Sequence, residues 1–99
     1  MNVQLVEIFD RNEGNTSRGQ AYSVRTIYIN PTHVVCIRES NDMATLLSEG
    51  RLPKELDKRQ QFTTLSLNKG TYGQDIIVVG AVADVHTKLH RTQRQLLQG

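Results

Sequence analysis

Apolar and polar residues alternate along several short stretches of the chain, and a period of two is typical of β-strands. The first stretch, residues 3–9, places Val3, Leu5 and Phe9 on one face and Val6 and Ile8 on the other. Because apolar side chains point to both sides, we predict a strand that is covered on both faces.

Four more stretches have the composition of strands. The break at Asn30-Pro31 separates two of them, because proline cannot donate to a ladder and restricts the residue before it. We expect the strands on either side of this break to be antiparallel neighbours, joined by the turn INPTH at 29–33. The predicted strands after the first cover residues 21–29, 34–38, 62–68 and 75–79.

The pattern changes to a helical period near the end of the sequence. Val82, Val85, Leu89 and Leu96 recur at spacings that place them near one face of a helix. Asp84 in the first turn, followed by basic residues, suits the helix dipole. We therefore predict a C-terminal helix that packs its apolar side on the sheet or on a partner.

Residues 40–61 differ from both patterns and are predicted to be an insertion between strands of a single domain, residues 1–99. Ser40 or Asn41 is a suitable N-cap, and Gly50 stands where a short helix would end. The element order predicts an α+β fold: a small curved antiparallel sheet or barrel of about five strands, with a short inserted helix and a C-terminal helix.

Composition and charge narrow the class of protein. The chain has 99 residues, of which 37% are hydrophobic and 22% charged, as in ordinary soluble domains. A formal net charge of +2 does not by itself require a nucleic-acid partner. The single cysteine, Cys36, favours a reducing, cytoplasmic location, and no apolar run is long enough for a membrane helix.

Two stretches resemble a known family. Residues 28–39 (YINPTHVVCIRE) are similar to the I-N-P-x-x-I-x-x-I hairpin of the FlbD flagellar family and of similar short β-barrel proteins of bacteria and phages. Residues 62–89 resemble the hairpin and helix that follow in that family. The resemblance implies a small curved sheet with a terminal helix and no catalytic residues. Residues 40–61 lengthen a connection that is short in the family.

No catalytic residue, cofactor or metal is predicted. The glycines between residues 68 and 80 are spaced for a hairpin turn and not for a phosphate-binding loop. His86 and His90 are four residues apart on the predicted helix and could share a zinc ion, but a histidine pair that is exposed to solvent or lies at an interface is the favoured interpretation. Cys36 lies mid-strand, where we expect a buried, unreactive thiol.

Two basic clusters are candidates for contact with RNA. One lies in the insertion, and the other lies on the last helix, after the final acidic residue Asp84. The second cluster would form a positive stripe that follows a phosphate backbone, and Tyr22 or Tyr28 could stack a base. The predicted nucleic-acid-binding residues are Arg51, Lys54, Lys58, Arg59, Lys88, Arg91 and Arg94.

The leading hypothesis is a non-enzymatic regulator or inhibitor that binds and occludes a macromolecular partner. By analogy of size, it is of the kind that phages encode against host defence or toxin systems. Alternatives are an RNA-binding protein and an oligomer that sequesters a small ligand or nucleotide. We expect a homodimer. The predicted partner-binding residues are Met43, Leu46, Leu47, Leu96 and Leu97.

Overall fold

The computed structural model describes residues 2–10, 22–68 and 73–98, and the side chains of the last helix as far as Arg91. Along these residues the chain forms five strands and two helices. A 3-10 turn at Pro31–His33 links the second strand to the third. The other elements are β1 (Val3–Asp10), β2 (Tyr22–Ile29), β3 (Val34–Glu39), α1 (Asn41–Ser48), β4 (Phe62–Asn68), β5 (Gly73–Val79) and α2 (Val82–Gln98).

The five strands form one antiparallel sheet in the order β2-β1-β5-β4-β3. This arrangement confirms the predicted α+β fold with a short inserted helix and a C-terminal helix. The sheet is open and not closed into a barrel. The expected hairpin between the second and third strands is wrong, because β2 and β3 lie at opposite edges of the sheet.

The reason lies in the residues that connect β2 to β3. The Asn30 side-chain oxygen accepts hydrogen bonds from the Thr32 N–H at 3.0 Å and from the Thr32 hydroxyl at 2.8 Å. The His33 N–H donates to the Asn30 carbonyl at 3.0 Å. These bonds stabilise a 3-10 turn that carries the chain away from β2 instead of folding it back, so β2 pairs with β1.

The short connection also requires a bent sheet. In a flat sheet the two edges would lie about 19 Å apart, at about 4.8 Å for each strand interval. A 3-10 turn rises only about 2 Å per residue and cannot span that distance. The end of β2 at Ile29 and the start of β3 at Val34 therefore approach each other, and the sheet curves between them.

Each face of the sheet carries its own core cluster. The first cluster joins β1, β2, β4 and β5 and is covered by α2, whose Val85 and Leu89 are buried. The second cluster lies beneath α1 and residues 49–61, where Met43, Leu52 and Phe62 are buried. The insertion thus covers the part of the second face where Ile8 of β1 is buried, while Val6 on the same face stays exposed.

Two glycines with positive φ lie at the ends of the helices that pack on the two core clusters: Gly50 follows α1 and Gly80 precedes α2. Gly50 has a φ of +74° and its N–H donates to the Leu47 carbonyl at 3.0 Å, as is usual where glycine ends a helix. Gly80 has a φ of +134° between β5 and α2, and an added Cβ would lie 3.3 Å from Val85 Cγ2. Gly80 therefore allows α2 to start close against the first core cluster.

Candidate functional site

Strand β3 is an edge of the sheet, and among the described residues its strand neighbour is β4 alone. Its register shifts between Val34 and Cys36, so Val35 is an extra residue in a bulge and is 65% exposed. Cys36 is also exposed, so the expectation of a buried thiol is wrong. A strand-like sequence does not show whether its strand is central or at an edge, and an edge leaves side chains uncovered.

A groove runs along the free edge of β3. Four consecutive strand residues, 34–37, line it, with Pro31 nearby. Because consecutive strand residues point to opposite faces, a space bordered by all four lies beside the main chain at the strand edge. The opposite wall is helix α2, with His86, Leu89 and His90. The groove has a volume of about 340 Å³.

The groove combines an apolar floor with a polar wall. Val34 and Ile37 pack against the first core cluster, to which Leu89 belongs. The rings of His86 and His90 lie with their centroids 4.3 Å apart and their planes inclined by 36°. Each imidazole can donate or accept a hydrogen bond. An extended chain in this groove would meet a strand edge on one side, ring nitrogens on the other and apolar groups between them.

The two histidines were also the candidate zinc ligands. Within the part of the chain that the structure describes, no group of three or more histidine, cysteine, aspartate or glutamate side chains could hold a metal ion. Cys36 lines the same groove as His86 and His90 but does not complete such a group.

A polar network holds the outward face of β3 next to this groove. Arg38 Nη2 donates to Asp75 Oδ2 at 2.7 Å, and Arg38 Nη1 donates to Ser66 Oγ at 2.9 Å. These residues lie on three neighbouring strands, so the network ties the edge strand to β4 and β5. The Ser66 hydroxyl and the Arg38 guanidinium lower the pKa of the Asp75 carboxyl, and Asp75 in turn raises the pKa of Arg38.

The structure places parts of the two basic clusters on either side of the start of α2. Two shallow grooves share Gly80 and Asp84. Arg59 lines one of them, and Lys88 and Arg91 line the other. The fold therefore brings together basic residues that are distant in sequence, although Asp84 lies between them.

The remaining basic residues are spread over the surface. Arg51 is 3.8 Å from the Glu49 carboxylate, and an exposed pair of this kind contributes little to stability. Lys54 and Lys58 are exposed in the turns of the insertion. The side chain of Arg94 lies outside the described residues.

The predicted partner-binding residues have different surroundings. Met43 is buried in the second core cluster, and Leu46 and Leu47 pack against it half-buried. The apolar side of α1 is therefore largely occupied by the sheet. The side chains of Leu96 and Leu97 lie outside the described residues.

The other edge of the sheet, β2, borders a space that the sequence analysis missed. A cavity of about 260 Å³ contains Glu7 and Arg25 in its lining. Glu7 Oε1 accepts a hydrogen bond from Arg25 Nε at 2.7 Å, and the Glu7 side chain is only 10% exposed. A signal was available in the sequence, because Glu7 shares its strand face with Val3 and Leu5 and so places a charge at a core-facing position.

Comparisons of this chain with protein families, with curated proteins and with solved structures find no match. Among the described residues, no helix is both long and apolar enough to cross a membrane.

Proposed function

We propose that this chain is a non-enzymatic binding protein that holds an extended segment of a partner protein in the groove between β3 and α2. It would regulate or inhibit the partner by occluding that segment. One observation carries the proposal: an open strand edge and a face of a helix border the same groove along four consecutive strand residues.

The mode of binding follows from strand geometry. An extended peptide adds to an open sheet edge through main-chain hydrogen bonds, and its alternate side chains occupy pockets beside the edge. At about 3.4 Å per residue, β3 can pair with a segment of about five or six residues. The exposed Val35 side chain would contact the side chains on one face of that segment.

The lining of the groove defines the chemistry of the segment. Its described residues include no carboxylate, lysine or arginine. Ile37 and Leu89 favour an aliphatic side chain, while His86 and His90 favour a carboxylate or carboxamide that accepts their hydrogen bonds. We therefore expect an extended segment with aliphatic residues at alternate positions and an acidic residue near the histidine pair.

Selection from a displayed library of short random peptides tests this proposal. The best binder is then titrated into the isotope-labelled full chain and followed by nuclear magnetic resonance. We expect amide shifts concentrated at residues 34–37 and 86–90, with slower hydrogen exchange at 34–37 because new main-chain hydrogen bonds form there. Shifts confined to other surfaces would show that the groove is not the binding site.

A pair of matched variants tests the role of the histidine wall. His90→Glu places a negative charge in the groove and should weaken binding of an acidic peptide by about tenfold. Thr87→Glu makes a similar change on the same helix, but Thr87 lines a different groove, so binding should be unchanged. Equal losses in both variants would indicate a long-range charge effect and would count against contact at His90.

A different surface of the molecule favours a second copy of this chain as partner. Val6, Val24 and Tyr28 are exposed on one face of the β1–β2 pair, and Val6 lies opposite Thr26, between the other two. We expect homodimer formation through this apolar row. Sedimentation of Val24→Ser/Tyr28→Ser should then show a monomer, while Val35→Ser remains a dimer. A wild-type monomer would exclude this assembly.

RNA binding is kept as an alternative because Arg59, Lys88 and Arg91 flank Gly80 and Asp84. Protein purified from cells would then carry nuclease-sensitive nucleic acid, measurable as a raised ratio of absorbance at 260 and 280 nm. Alanine at Lys88, Arg91 and Arg94 should weaken RNA binding and reduce its salt dependence. Unchanged affinity and salt dependence would remove this alternative.

A further inference from the structure

The cavity beside β2 is separate from the groove between β3 and α2, here called the peptide groove, and it has a different lining. Its apolar lining comes from β2, β4 and β5, with Ile27, Ile29, Leu67 and Ile76. Because β2 is not a neighbour of β4 or β5 in the sheet, the cavity lies in the space that the bent sheet encloses. Its volume of about 260 Å³ suits a single small ring system.

The ion pair gives this cavity a specific polar feature. Arg25 Nε donates a hydrogen bond to Glu7 Oε1 at 2.7 Å, and the Arg25 guanidinium carbon lies 4.1 Å from the centroid of the Phe9 ring. Among the described residues, the ion pair uses one oxygen of Glu7 and one nitrogen of Arg25, so the second carboxylate oxygen can accept and the terminal nitrogens can donate further hydrogen bonds. The pair has no net charge, yet it presents an acceptor and donors side by side.

The placement of Glu7 needs an explanation beyond packing. Its side chain is 10% exposed, and an apolar residue would continue the pattern of Val3 and Leu5 on the same face. The Arg25 side chain is 56% exposed, and the ion pair only offsets the cost of placing the Glu7 carboxylate in a buried position, so stability alone does not explain why a charge stands there. A mostly apolar cavity with a few convergent polar groups is the usual form of a small-ligand site.

We propose that this cavity binds a neutral, planar heterocycle that presents a hydrogen-bond donor and an acceptor on adjacent atoms, as the edge of a nucleobase does. The donor of the ligand would bond to the second carboxylate oxygen of Glu7, and the acceptor of the ligand would bond to a terminal nitrogen of Arg25. A positively charged ring would be repelled by Arg25, and a negatively charged ring would be repelled by Glu7. His33, which also lines the cavity, offers a ring face on which the ligand can stack.

Titration of the full chain with adenosine, cytidine, guanosine and uridine tests the proposal by calorimetry and nuclear magnetic resonance. We expect saturable binding of at least one nucleoside, with amide shifts at residues 25–29 and 74–76. The analogue of the best binder in which methyl groups replace every hydrogen on the donor nitrogen should bind about tenfold more weakly, because one hydrogen bond is lost. Absence of saturable binding by all four, or equal binding of the methylated analogue, would overturn the proposal.

Variants separate this site from the peptide groove. Glu7→Gln should weaken nucleoside binding by about tenfold, because it removes a charged acceptor and disturbs Arg25. Gln74→Trp changes an exposed residue of the cavity lining and should abolish nucleoside binding even if Glu7→Gln fails to fold. Gln74→Trp should leave peptide binding unchanged, and His90→Glu should leave nucleoside binding unchanged. Nucleoside binding that survives Gln74→Trp would place the ligand elsewhere.

Discussion

Strands β2 and β3 are the two edges of the sheet that the described residues form, and their surroundings differ. Beside β3 lies a groove with an apolar floor and a helix as its far wall, which is open along the strand direction. Beside β2 lies a cavity with an ion pair in an apolar lining. An extended chain fits the first space, and a single ring fits the second. Within one small sheet, what packs next to an edge determines which class of partner the edge can accept.

Two ion pairs make the same contrast at the level of single residues. In the first pair the Glu7 side chain is 10% exposed and the Arg25 side chain 56%, whereas in the second pair the side chains of Arg38 and Asp75 are 50% and 56% exposed. Both pairs have an N–O distance of 2.7 Å. Solvent screens the charges of the second pair, so their attraction contributes little to stability. The hydrogen bonds of Arg38 to Ser66 and Asp75 link β3 to β4 and β5. The first pair is screened less and can contribute more to stability and to recognition.

The largest effect on the free energy of unfolding is expected for a core residue that packs near both edge strands. Leu65 is fully buried in the first core cluster, on the strand next to β3, and packs with residues that line the β2 cavity. Leu65→Ala should lower the free energy of unfolding by about 2–5 kcal/mol, because it removes buried methyl groups and leaves a cavity. Chemical denaturation measures this loss, with Val35→Ala as an exposed control that should change little. A small loss in Leu65→Ala would mean that the two edges do not depend on a common core.

A more selective effect is expected at the junction that positions α2. Gly80→Ala should lower the free energy of unfolding by about 2–3 kcal/mol, because a φ of +134° is strained for alanine and the new Cβ crowds Val85. Gly50→Ala should lower it by only about 1 kcal/mol, because its φ of +74° lies in the left-handed well and the space is open. Gly80→Ala should also weaken peptide binding more than nucleoside binding, since α2 forms the far wall of the groove. Equal losses at both sites would remove the distinction between the edges.

Local patterns in the sequence predict most of the fold. The alternation in β2 and β4, the helical spacing of Val85 and Leu89, and the glycine that ends α1 are all local signals, and each corresponds to an element of the structure. The pairing of strands is a non-local property. The hairpin expected at Asn30 fails because its side chain stabilises a 3-10 turn, which no periodicity indicates.

The sites are less predictable because both are formed between elements distant in sequence. The groove exists because β3 is an edge and α2 packs beside it, and neither fact follows from the sequence of either element. The sequence does single out His86 and His90 as a pair on one helix face, but it does not show that they form the wall of a groove. Glu7 is visible in the sequence as a charge on an apolar strand face, yet its partner Arg25 becomes evident only from the pairing of β1 with β2.

A double-mutant cycle compares the two ion pairs directly. Glu7→Gln should lower the free energy of unfolding by about 1–3 kcal/mol, because it weakens a charged hydrogen bond in a largely buried position. Arg25→Gln and the double variant complete the cycle and give the coupling energy by chemical denaturation. The coupling between Arg38 and Asp75, measured in the same way, should be smaller. A larger coupling in the exposed pair would contradict the ranking of the two edges by solvent screening.

The smallest effect is expected in the pH dependence of the exposed network. The pKa of Asp75 is lowered from its ordinary 3.8 by the Ser66 hydroxyl and by Arg38, so the folded state favours the ionised carboxyl. Its contribution to stability is therefore complete above about pH 4 and is lost as the pH falls through the lowered folded pKa. Urea denaturation should show wild type slightly more stable than Asp75→Asn at pH 6, with the difference vanishing in strong acid. Ser66→Ala should reduce this difference without abolishing it, because Arg38 still holds the carboxylate. If wild type and Asp75→Asn instead lose stability in parallel as the pH falls, the network does not depend on the charge of Asp75.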